Sequence, residues 1–299
     1  SFGCISFNNI EVAIPAAPAP LIKIPKIRRA IDGVFVDPGQ EQPALAGVMV
    51  ENMEEAQPIS GIADARLVFE AVTEANITRF LGYFVLLPPH PNPLPQGKGD
   101  LSKSSPPQGE GGRRPGEGTI EIGPVRSARP YFLDWAAEFN ALFAHVGSSP
   151  AAYELLRRQG VEGVQDLDQW YNSQYFFRKS GRAKPHHLYT NTELLKKAYT
   201  KQESVISNQE SELKSWKFKH DASPDLRGDV REITVGYIAP YAVTWLYDKS
   251  LNAYKRMQWG GVHKTADQQE IMAKNIAVAF QNMKVLDEVG RKEFLTIGA

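Results

Sequence analysis

The chain has 299 residues, with 34 basic side chains against 34 acidic ones, 42% hydrophobic and 23% charged residues; this is the balance of an ordinary globular protein, long enough for two domains. A net charge of zero argues against a nonspecific nucleic-acid binder, which needs a basic excess to displace counterions. No run of about 18 apolar residues is present to span a membrane as a helix.

The chain starts at Ser1 rather than Met, which leaves room for an upstream export signal. The single cysteine, Cys4, follows Gly3. It can form neither an internal disulfide nor a cysteine-based metal cluster. Two readings stand for it: a free thiol in a loose terminus, or the lipid-modified first residue of a mature lipoprotein. The Pro/Ala-rich stretch Pro15–Pro20 and the basic cluster Lys23, Lys26, Arg28 and Arg29 make residues 1–43 a linker or tether.

Strand-like runs follow at Ala46–Asn52, Ala65–Val72 and Ile77–Leu87, rich in Val, Ile and Phe. Residues 88–118 then hold eight prolines and seven glycines, a composition that cannot offset its own ordering entropy. They are expected to be a disordered, foreign insertion. Beyond it a helix is expected from Tyr131 to about Asn140, a buried strand over Ala141–Val146, and a helix over Pro150–Gln159 capped by Gly160. Thr192–Ser211 is helix-compatible. After a boundary near Pro224, Val230–Tyr237, Ala242–Asp248 and Asn252–Gln258 alternate like a meander. Ile276–Leu286 and Phe294–Ile297 are further strand candidates, the last so near the end that the second domain is expected to be truncated. The fold class is mixed α/β. An N-terminal domain over 44–222, with a mixed sheet and helices, precedes a smaller, mostly β domain over 223–299.

No P-loop, nucleophile-elbow, zincin or dinucleotide fingerprint is present, and neither a metal nor a cofactor is expected. Gly123–Tyr131 is the most informative segment. A Gly-Pro turn leads into Arg126, Ser127 and Arg129; if a helix begins there, arginines three apart share a face and can grip a phosphate or carboxylate. The opposing reading pairs both with acids of the same domain. Arg79, on the strand before the insertion, lies near them once the insertion is discounted. Adjacent His186 and His187 diverge in extended chain and cannot chelate one metal together, but one could act as base or anion ligand. His145, in an apolar run, is expected to be a hydrogen-bonded core residue. Arg256 and His263 flank the Gly260-Gly261 pair, which suits a hairpin turn or a close approach to a ligand.

Val48-Met49-Val50-Glu51-Asn52, Ile77-Thr78-Arg79-Phe80, Ile122 through Tyr131, Lys184-Pro185-His186-His187-Leu188-Tyr189 and Gly260-Gly261-Val262-His263 together resemble the YerB-like lipoprotein family of bacteria. The resemblance covers about 44–87 and 119–297; it implies a two-domain α/β exported protein, usually lipid-anchored, with no established activity. Three departures stand out: the insertion, Asn76 in place of a usual glycine, and the shortened end. Three functions compete. The first is an extracytoplasmic binding or assembly factor of the cell envelope, using Arg79, Arg126, Ser127, Arg129, His186, Arg256 and His263 on an acidic ligand, touching the membrane only through a lipid on Cys4 and binding no nucleic acid. The second is a hydrolase or transferase with His186 or His263 as acid/base. The third is a structural interaction module.

Overall fold

The computed structural model describes residues 25–86, 118–203 and 213–295. Cys4 and nearly all of the 88–118 stretch lie outside these residues. A small hairpin, β1 (Ile27–Arg28) and β2 (Phe35–Val36), comes first. It corrects the tether expectation for this part of 1–43. Arg29 is buried and held bidentately by Asp32, at 2.9 Å from Nε and 2.5 Å from Nη2, while Ala30, Ile31 and Val36 pack inward. The basic cluster masked these short apolar contacts.

Five strands form the main sheet: β3 (Ala44–Glu51), β4 (Leu67–Val72), β5 (Thr78–Leu86) and, beyond the short β6 (Glu121–Ile122), β7 (Ala141–His145) and β8 (Val164–Asp168). Their order is β4-β5-β3-β7-β8. β3 is central, antiparallel to β5 and parallel to β7, which is parallel to β8. A strand covered on both faces reads as a continuous apolar run, and Leu45–Val50 is one. Alternation sends Ala46, Val48 and Val50 into one core with Phe80, Phe84, Leu142 and Ala144. Leu45 and Met49 enter the other core, beneath helices α1 (Pro130–Ala137) and α2 (Pro150–Glu154), with Leu81, Tyr83, Phe132 and Phe143.

The expected helix over Pro150–Gln159 is α2 followed by a π-helical turn, Leu155–Gln159, ending at Gly160 with φ 72°. β9 (Phe177–Arg178) and β10 (Leu188–Asn191) extend β6 into a three-stranded sheet, and α3 (Thr192–Glu203) follows. Sequence patterning missed β8, whose Val-Gln-Asp-Leu-Asp pattern carries two acids. Those carboxylates are at home there because they are partnered, as described below.

The later residues are mostly β. Strands β11 (Glu232–Val235), β12 (Val243–Asp248), β13 (Ala253–Gln258) and β14 (Gly261–Val262) form an antiparallel meander, with β15 (Met272–Ala273) also on β13. The Ile276–Leu286 expectation shrinks to β16 (Asn282–Val285), which pairs with β17 (Lys292–Leu295) in a separate ribbon. That ribbon reaches back to the first sheet: Lys292 Nζ donates to Thr73 O at 2.7 Å, and Phe294 meets Tyr131 edge-on at 4.5 Å.

Candidate functional site

Residues 123–129 form an extended strap across the ends of β3 and β7. Gly123 exchanges backbone hydrogen bonds with Ser60, Glu51 N–H donates to Pro124 O, and Arg126 N–H donates to Met49 O. Val146 N–H donates to Arg126 O, and Ala128 N–H to Gly147 O. At Gly123 (φ 154°) a Cβ would lie 2.7 Å from the Tyr189 ring, so a side chain there would displace the strap from β10.

The helix begins only at Pro130. This corrects the expectation that Arg126 and Arg129 share a helical face: in extended chain, residues three apart point to opposite sides. Arg129 turns to Glu74, with Nε–Oε1 2.6 Å and Nη2–Oε2 2.7 Å, and its Nη1 donates to Ala128 O at 2.7 Å. Its donors are largely spent on the protein, and the guanidinium helps hold the Glu74 carboxyl below its ordinary range against the opposing effect of burial. Arg126 turns to Glu51. Its Nε lies 3.1 Å from Glu51 Oε1, yet this buried N–H lacks a well-directed hydrogen bond. The other oxygen, Oε2, is 2.7 Å from His186 Nδ1.

Arg79 stands opposite Glu51 across the β3–β5 register, so the two side chains leave the same face of the sheet. It is buried, and Nη1 donates to Ser127 O at 2.6 Å. Ser127 thus contributes its backbone to the cluster. Among the described residues no carboxylate lies within ion-pairing distance of Arg79. Burial first, then the charges of Arg129 and Arg126, push its guanidinium down to about 9. The structure therefore brings Arg79, Arg126, Arg129 and His186 together around Glu51 and Glu74.

His145 is fully buried, with Nδ1 2.8 Å from Gly147 O and Nε2 2.7 Å from Asp166 Oδ1. Arg157 reaches Asp166 Oδ2 at 3.0 Å and Asp168 Oδ2 at 3.4 Å. These are the partners that admit two acids to β8. Sequence reasoning missed Glu51, the carboxylate that joins Arg126 to His186. It sits at the end of an apolar run, where a charge that stops a strand is unremarkable.

Arg256 and His263 lie elsewhere, in the seam between the meander and the first sheet. Arg256 is 1% exposed; Nη1 and Nη2 each donate to Glu70 at 2.8 Å, and Nε donates to His263 Nδ1 at 3.1 Å. Its guanidinium also stacks near Phe80 and Trp245, at 5.1 and 5.4 Å from the ring centroids. His263 Nε2 donates to Gln57 Oε1 at 3.0 Å, since Nδ1 is the acceptor for Arg256. Burial, then the Arg256 charge, push its ring down to about 3. A sealed, neutral imidazole of fixed tautomer does not exchange protons with a substrate. Among the described residues no group of three or more His, Cys, Asp or Glu side chains is arranged to hold a metal ion.

Residues 33–92 and 116–205 match the family model described as "Protein of unknown function (DUF3048) N-terminal domain". The chain belongs to that family. The match breaks over 93–115, inside the Pro/Gly-rich stretch. The chain is 26% identical over 282 residues to "Putative lipoprotein YerB" of Bacillus subtilis (strain 168), covering 90% of this chain and 71% of that relative. It shares its fold with the crystal structure of YerB protein from Bacillus subtilis, at a TM-score of 0.68 and 24% identity, over 90% of this chain and 80% of that one.

Two outcomes follow from the seam. Arg256→Met strands a carboxylate at Glu70 and should cost about 3–5 kcal/mol by urea denaturation, whereas Glu70→Met with Arg256→Met should recover most of it; equal losses in both would mean the ion pair is not what holds the seam. His263 has a folded pKa of about 3 against an ordinary 6.5. The stability linked to it is present above pH 6.5 and lost as pH falls from there toward 3. Between pH 7 and 5 that loss is about 2 kcal/mol, and His263→Gln should flatten this part of the stability profile. An unchanged slope would place the histidine in water.

Proposed function

We propose that the protein is an extracytoplasmic binding or assembly factor of the cell envelope, anchored by a lipid on Cys4, that holds a phosphate- or carboxylate-bearing ligand at Arg126. The observation that carries this reading is the surplus of positive charge beneath the strap. Arg79, Arg126 and Arg129 converge on two carboxylates, Glu51 and Glu74, and Arg79 has no ion-pair partner among the described residues. Crowded like charges are unfavourable unless compensated, and a bound anion supplies compensation. Arg126, whose side chain is 22% exposed, makes the contact; Arg79 stands behind it and contributes field. Arg129 and Glu74 set the strap rather than the ligand.

An acid/base enzyme is the weaker reading. His263 is sealed, and among the described residues His186 hydrogen-bonds Glu51 and no serine or threonine hydroxyl. The similarity to a protein called a lipoprotein supports the anchor. Bacterial expression of the full gene should then give a lipid-labelled, membrane-associated product, and an unlabelled wild type, or labelling that survives Cys4→Ser, would remove it.

Thermal unfolding tests the site. Sulfate or phosphate should raise Tm with the logarithm of its concentration, the stabilisation reaching about 2.7 kcal/mol at 100 times Kd. Arg126→Ala should abolish that rise while shifting the anion-free Tm only modestly. Severe unfolding with no anion response in the wild type would make Arg126 a structural ion-pair residue.

A further inference from the structure

Beyond the end of β8, one turn holds two large rings out in water. Asp168 is buried, and its Oδ1 accepts from Gly147 N–H at 3.0 Å and Trp170 N–H at 3.1 Å. Its carbonyl accepts from the N–H groups of Tyr171 and Asn172 and from Asn172 Nδ2. The backbone is thus pinned from several directions, yet Trp170 is 72% exposed and Tyr171 63%. Arg157, anchored on Asp166 and Asp168, stacks 4.2 Å from the Tyr171 centroid. Leaving two such rings in water forgoes stabilisation of roughly 1.5–3 kcal/mol for each large side chain, although the turn that presents them is ordered.

We propose that Trp170 and Tyr171 form a stacking platform for a saccharide. The C–H face of a pyranose is apolar and slightly positive, which complements the negative face of an aromatic ring. Its hydroxyls both donate and accept, and the turn continues Asn172-Ser173-Gln174, with Ser173 and Gln174 exposed and the Arg157 guanidinium beside Tyr171. A lipid surface calls for a broader apolar face than two rings supply, and a protein partner for a larger packed patch around its anchors. Two rings edged by amides and a hydroxyl fit a sugar better than either.

The platform stands beside the backbone of the strap that carries Arg126. A Cβ on Gly147 would lie 3.2 Å from Trp170 Nε1, and the residue before it, Val146, donates its N–H to Arg126 O at 3.1 Å. The ligand class is therefore an acidic saccharide, with its ring on Trp170 and Tyr171 and its charge toward Arg126; this second part rests on the anion-site reading above.

Calorimetric titration of the full chain with neutral N-acetylglucosamine and glucose tetramers, and with an acidic galacturonate tetramer, separates the two parts. The wild type should bind a neutral tetramer and bind the acidic one more tightly. Trp170→Ala and Tyr171→Ala should each weaken both by about tenfold or more, with Tm nearly unchanged because both side chains are exposed. Arg126→Ala should weaken only the acidic one. If Arg126→Ala has no effect, the platform stands and the anion-site reading fails. If no tetramer binds, or binding ignores Trp170 and Tyr171, the platform is overturned. Trp170-dependent binding to phosphatidylglycerol vesicles without saccharide binding overturns it in favour of a lipid surface.

Discussion

The guanidinium of Arg256 is the constraint around which the two parts of the chain are arranged. A cation removed from water costs several kcal/mol unless its hydrogen bonds and charge are met nearby. Glu70 meets the charge from β4, His263 accepts from Nε, and Gln258 accepts from Nη2 at 2.9 Å. Asn52 then ties Glu70, Thr78 and Gln258 together through one side-chain amide. None of these groups can shift alone without leaving another unpaired, so the meander has one seat on the first sheet. The backbone bond from Ala266 N–H to Ile59 O, at 2.8 Å, adds a further point of register.

The strap is governed by a different balance. Its backbone groups are bonded to β3, to β10 and to the loop after β7, while its two arginines together with Arg79 of β5 outnumber the carboxylates Glu51 and Glu74. Glu51 and Asn52 are consecutive and point to opposite faces of the sheet. One belongs to the arginine cluster and the other to the seam, so the last residue of β3 and the one after it serve both. The parallel strands β3, β7 and β8 all end on this rim, carrying Glu51, His145 and Asp168. In open sheets with parallel strands, ligands gather at the carboxyl ends.

Much of the first sheet was legible because burial on two faces writes long apolar runs: β3, β4, β5 and β7 were each anticipated within two residues. The nearness of Arg79 and Arg126 does not follow from setting the low-complexity stretch aside, because that stretch begins after Leu86 at the far end of β5; it is the hydrogen bond from Arg126 N–H to Met49 O that seats the strap at the Arg79 end. The direction of Arg129 was not legible either. Whether a residue precedes a helix or opens it decides which way its side chain points, and a Pro at the first helical position is compatible with either boundary for the residues before it. β8 was hidden by its acids, whose partners, Arg157 in α2's continuation and His145 in β7, lie on other elements that the local pattern does not show. Arg256 and Glu70 are 186 positions apart, and the glycine pair beside Arg256 pointed to a turn or a ligand rather than to a carboxylate on the first sheet. The hairpin over 27–36 was hidden by composition, since a run of basic residues gives no sign that one of them will be buried against Asp32.

The register of β5 gives the sheet two unlike ends. Arg79 lies opposite Glu51, while Leu86 lies opposite Ala44, at the start of β3. Seven residue steps separate them, roughly 23 Å along the strand. The Pro/Gly-rich stretch follows Leu86 in the sequence, and the family match breaks within it. Lengthening a connection costs only the logarithm of its length. A longer connection after Leu86 therefore starts from one rim of the sheet at small thermodynamic expense, while the opposite rim is tied down by the hydrogen bonds of Arg79, Asn52 and the strap.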